Sequence, residues 1–165
     1  MTPMSLTSKP LALAAGAVMV FAAGCLGYTT YANIDRSEEG RRRLDRAELA
    51  RTTSALDRVL RPLGMVPHPE MEHVRKVHRE MEESPFLVLE EWINAGSRTA
   101  DDVEVFIRED KNDGSVAVVI RNRTWPRATT FTDALETEVR AALADAIPHR
   151  NIVIERRVEG PSFSP

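Results

Sequence analysis

Two short apolar strands around one turn constrain this chain more than any other feature. Val103, Val105 and Ile107 share one face of an extended segment, and Val116, Val118 and Ile120 share one face of the next. Between them, Asp110-Lys111-Asn112-Asp113-Gly114 supplies residues that tolerate positive φ, the chemistry of a hairpin turn. A hairpin with one apolar face is not stable alone, and a second layer must cover it. The sequence offers that layer at once. Phe131, Leu135, Val139, Ala142, Leu143 and Ala146 form a wide apolar stripe on a helix from about Thr132 to Ile147. Thr130 or Thr132 can cap its start, and Pro148 stops it. Asn151 to Val158 reads as a last strand with Ile152 and Ile154 inward. The C-terminal half is thus β-β-α-β.

Upstream, two amphipathic helices are expected. The first covers residues 44–63, with Leu49, Leu56, Leu60 and Leu63 at heptad spacing and Thr53 in the seam. Pro62, Gly64, Pro67 and Pro69 break it. The second begins near Pro69 and places Met71, Val74, His78 and Met81 together. Phe86 to Ile93 reads as strand or helix, with strand favoured for Phe86 to Glu90 because it precedes the hairpin. The expected fold class is therefore α+β. It has an N-terminal lipid or membrane anchor (1–24), a tether (25–43) and an amphipathic helix (44–63). An α+β domain (65–160) follows, built on a small sheet of hairpin, helix and strand with helices on one face, and then a disordered tail (161–165).

The first 25 residues carry the address. An uncharged stretch from Pro10 to Ile34 follows Lys9, and its apolar core, Leu11 to Ala23, has the length of a signal-peptide h-region. Ala22-Ala23-Gly24 then leads to Cys25, the sole cysteine. Together with Cys25-Leu26-Gly27-Tyr28-Thr29-Thr30-Tyr31, this resembles the lipobox and mature start of bacterial lipoproteins. The resemblance implies that residues 1–24 are removed and that Cys25 is acylated and becomes the new N-terminus. With Leu26 after the cysteine, it implies outer-membrane sorting in a Gram-negative envelope. The alternative is an uncleaved, single-pass inner-membrane anchor. Leu11 to Tyr31 supplies the roughly 20 apolar residues that a bilayer requires, with Tyr28 and Tyr31 in the interfacial belt. Arg36, Arg41, Arg42, Arg43 and Arg46 after the segment would then favour a cytoplasmic domain. A lone cysteine makes no internal disulfide, so burial must hold the core.

Composition excludes little. Without residues 1–24, the remaining 141 residues carry 21 cations and 25 acids, so no nucleic-acid partner is expected. Nor is a metal or cofactor. His68, His73 and His78 lie among glutamates, but a spacing of five places His73 and His78 on different helix faces. Glu70-Met71-Glu72-His73 is a single Glu-x-x-His, where a di-iron bundle needs two. The Asp110–Gly114 turn lacks the calcium-loop positions. Glu90 and Glu91 would point to opposite faces of a strand and form no carboxylate pair.

One cluster stands out, Arg121-Asn122-Arg123-Thr124-Trp125-Pro126-Arg127. If the strand continues past Ile120, then Arg121, Arg123, Trp125 and Arg127 project the same way as candidates for binding an anionic envelope ligand. Arg156 and Arg157 would extend the row. The expected function is non-enzymatic binding or scaffolding at the membrane surface, through a lipid anchor. Two alternatives are a membrane-anchored subunit that docks a protein partner through the Leu49–Leu63 helix, and a hydrolase whose site is hidden in the sequence.

Overall fold

The computed structural model describes residues 27–35, 43–82, 84–94, 102–125 and 127–159. Among them, six strands and three α-helices follow one another: β1 (Gly27–Ile34), α1 (Arg46–Leu60), β2 (Met65–Pro67), α2 (Met71–Glu80), β3 (Phe86–Asn94), β4 (Val103–Asp110), β5 (Val116–Asn122), α3 (Thr130–Ala146) and β6 (Ile152–Glu159). The strands form one sheet in the order β2-β3-β4-β5-β1-β6. Every neighbouring pair is antiparallel.

This corrects the expected fold class. The sheet is not a small hairpin-and-strand unit preceded by two amphipathic helices. Gly27–Ile34, assigned in the sequence to a tether, is an inner strand that pairs with β5 on one side and β6 on the other. Its alternation is hidden because both of its faces are covered: Thr29, Thr30, Tyr31 and Ala32 are all buried. A strand buried on both sides has no polar-apolar rhythm to reveal it. Residues 1–24, Cys25 and the 161–165 tail lie outside the described residues.

One face of the sheet carries the main core. Ala32 and Ile34 from β1, Trp92 from β3, Val103, Val105 and Ile107 from β4, and Val116, Val118 and Ile120 from β5 meet α1 and α3. Leu56 and Leu60 of α1 and Leu135 and Leu143 of α3 are fully buried there. Leu49 and Leu63 pack at its margin, so the leucine stripe faces this chain's own sheet. α1 starts in a capping box. Asp45 accepts from the Glu48 N–H at 2.8 Å, while the Glu48 carboxylate accepts from the Asp45 N–H at 2.8 Å. Thr129 and Thr132 reciprocate in the same way at the start of α3. α2 covers part of the opposite face, where Met71 and Val74 pack against Tyr31, Val88, Phe106, Ala117 and Val119 together with Phe86.

The β4–β5 turn closes as its composition requires. Gly114 adopts φ +69°, a conformation that a side chain rarely tolerates. Its N–H donates to the Asp110 carbonyl at 3.0 Å, and the Asp110 carboxylate accepts from the Asn112 N–H at 2.8 Å. Gly27 serves a close approach instead. A Cβ there would sit 3.0 Å from the Asn122 carbonyl oxygen of β5.

Candidate functional site

The hairpin register builds the arginine cluster. Counting back from the turn sets Arg121 directly opposite Glu104, on the face away from α1 and α3. Arg121 donates to Glu104 Oε1 at 2.9 Å, and Arg123 reaches Glu104 Oε2 at 2.8 Å. One buried carboxylate thus anchors two guanidinium groups. No local motif marks Glu104 in the sequence, although counting outward from the Asp110–Gly114 turn would have found it.

The expected row is only partly assembled. β5 ends at Asn122, whose side-chain oxygen accepts the N–H groups of Thr124 at 2.9 Å and Trp125 at 3.2 Å. That folds the chain into a turn, so Arg123, Trp125 and Arg127 do not extend the strand. Trp125 is 44% exposed, and the Arg127 guanidinium stands 5.8 Å from the centre of its ring. Arg121 lies 5.0 Å from the Phe106 ring centre. Of the two arginines on β6, Arg157 lies level with Arg121 across the sheet, through Thr29 of β1. Arg156 takes the other face and pairs with Glu136 of α3.

The same face carries groups that sequence reasoning missed. Arg108 lies 4.6 Å from the Tyr31 ring centre and 5.5 Å from that of Phe86, and Arg157 covers Tyr31 from 5.4 Å. Tyr31, expected in a membrane interface under the spanning-anchor alternative, is therefore buried in the sheet beneath two arginines. Glu91 also belongs to this face, opposite Phe106. Burial pushes its carboxyl up, and the Glu104 charge adds to the shift, while His68, Arg123 and Arg121 oppose it. Glu90 is engaged by Arg75 of α2. His78 stacks on Phe86, and burial, then Lys111 and Arg121, lower its pKa.

A second polar cluster closes the far end of α1. Arg150 donates to Glu48 through Nε at 3.0 Å and Nη2 at 2.9 Å, and His149 Nε2 lies 2.7 Å from the same carboxylate. Arg150 also donates to the carbonyls of Asp35 at 3.2 Å and Arg43 at 3.1 Å. Burial alone would raise the Glu48 pKa. Hydrogen bonds from Arg150, the Asp45 N–H and His149 outweigh it and lower the value to about 2. This cluster ties three chain segments together.

An open groove of about 350 Å³ runs between α1 and α3, lined by Ala50, Ser54, Ala55 and Ala146 with Arg51, Arg58 and Asp145. It holds one acid and no histidine. Among the described residues, no group of three His, Cys, Asp or Glu side chains is placed to hold a metal ion. Nor is any helix there long and apolar enough to cross a membrane. No protein-family model, curated protein or solved structure matches the chain.

Proposed function

We propose that this chain is a lipid-anchored binding or scaffolding domain of the bacterial cell envelope, acylated at Cys25. The observation that carries this reading is the position of β1. It opens at Gly27, and two residues of chain span at most about 7 Å. β1 therefore enters the sheet at the end where β5 stops and Trp125 and Arg127 are exposed, the end at which an acyl group on Cys25 would tether the domain. An indole beside a guanidinium suits the boundary between acyl chains and charged headgroups.

The same position weighs against a spanning anchor. Tyr28 to Tyr31 are committed to the sheet, which leaves 16 residues from Leu11 to Leu26. As a helix they would extend about 24 Å, short of the ~30 Å hydrocarbon core. A diacylated cysteine needs no such length.

Intact-mass analysis of the membrane fraction tests the reading. Loss of residues 1–24 with a gain of acyl mass on Cys25 is expected. A membrane-bound chain that begins at an unmodified Met1 would overturn it.

A further inference from the structure

The two edges of the sheet are unlike. β2 is three residues long and ends in Pro67, which has no N–H to offer a partner. β6 is eight residues long, contains no proline, and pairs with β1 without a register break. Among the described residues, nothing pairs with its other side. A long, regular edge is a template for another strand unless something guards it. Apolar exposure also concentrates there. Of the four large hydrophobic side chains exposed among the described residues, Val153 (49%) and Val158 (57%) are both on β6.

We propose that β6 is the seam of a symmetric dimer, in which two copies join edge to edge into one continuous antiparallel sheet centred on Arg156. Symmetry limits which registers are open. A two-fold axis relating adjacent antiparallel strands must stand normal to the sheet, so each face continues across the seam and the axis passes midway between the two copies of one residue of β6. Centring on Glu155 would set that carboxylate against its own copy, and centring on Arg157 would do the same with two guanidinium groups, and neither register gains a Glu155–Arg157 pair in return. Centring on Ile154 would leave the charges facing apolar positions. Centring on Arg156 instead sets Glu155 opposite Arg157 of the second copy, twice, on one face. On the other face it sets Ile154 opposite Val158, also twice.

The register creates one like-charge contact, Arg156 against its own copy. Each Arg156 is already engaged by two hydrogen bonds to Glu136 of α3. Within one chain, Glu155 and Arg157 are already bonded at 2.8 Å through Nε, so the second copy extends an existing pair into a four-charge network. Charges on an edge strand guard against foreign strands. Alternating in sign two residues apart, these guard poorly against a copy of themselves. The seam does not depend on acylation of Cys25.

Two measurements on the full-length chain in detergent test the seam. In a Cys25→Ser background, Arg156→Cys should form an interchain disulfide under mild oxidation, because opposed residues bring Cα atoms within disulfide range. Val153→Cys should not, since its two copies lie about 20 Å apart at three positions from the axis. By sedimentation, Arg157→Glu should weaken self-association about tenfold, and Glu155→Arg likewise. The double swap, Glu155→Arg with Arg157→Glu, should restore it. A chain monomeric at every concentration would show that the charges are guards and would overturn the proposal. So would equal cross-linking at 153 and 156, or a double swap that fails to rescue.

Discussion

Replacing Glu48 with Gln tests how much of the fold hangs on one buried ion pair. The substitution keeps the size of the side chain and leaves one oxygen for the helix cap, but removes the charge that Arg150 faces. The Arg150 side chain is 1% exposed, so its guanidinium would remain buried without the Glu48 charge. Breaking a pair this buried costs about 3–5 kcal/mol, or roughly 10–20 °C in Tm for a domain of this size. The depressed pKa points the same way. Glu48 falls from 4.5 to about 2 on folding, equivalent to about 3 kcal/mol. Because the folded value is depressed, that stability is fully present above pH 4.5 and is lost as pH falls toward 2. Urea unfolding followed by circular dichroism at pH 7 and pH 3 separates the contributions. The unsubstituted chain should lose more stability between those two values than Glu48→Gln does. Adding Arg150→Met to Glu48→Gln should recover most of the deficit, since an apolar side chain of similar length needs no partner. A Glu48→Gln loss below about 1 kcal/mol, or an unchanged acid profile, would refute the reading that this pair clamps the chain.

Trp125→Ala should cost less than about 1 kcal/mol of stability, because the ring is 44% exposed and lies outside both apolar clusters. A loss of 3 kcal/mol or more in the same unfolding assay would return it to the core, and weakened flotation with anionic vesicles at unchanged stability would support its place at the membrane. Asp57→Ala should cost about 1–3 kcal/mol, since the buried Trp92 indole N–H loses the acceptor it reaches at 3.2 Å. Near-ultraviolet circular dichroism should report the altered Trp92 environment, and unchanged stability would show that the indole finds another acceptor.

What this sequence determines alone is what depends on short-range rules. The Asp110–Gly114 turn, the alternation on either side of it and the α3 stripe are legible because strand and helix periods and positive-φ residues act over a few neighbours. The lipobox-like start is likewise a local pattern of length and residue size, and what it implies belongs to the proposed function. What only the tertiary structure decided is which segments those elements recruit. β1 reads as a polar tether, yet it is inserted between β5 and β6, about 90 and 120 residues further along the chain. Its Thr and Tyr residues are stable there because neighbouring strands satisfy the backbone and arginines cover the Tyr31 ring. The heptad leucines of α1 showed that the helix buries a face, but periodicity cannot name the surface that receives it. The arginine cluster divides in the same way. Its composition was visible, but the strand ended where the Asn122 side chain captured two backbone N–H groups, and Arg121 and Arg123 converged on a carboxylate from another strand. Such choices rest on long-range register, which no local window of sequence contains.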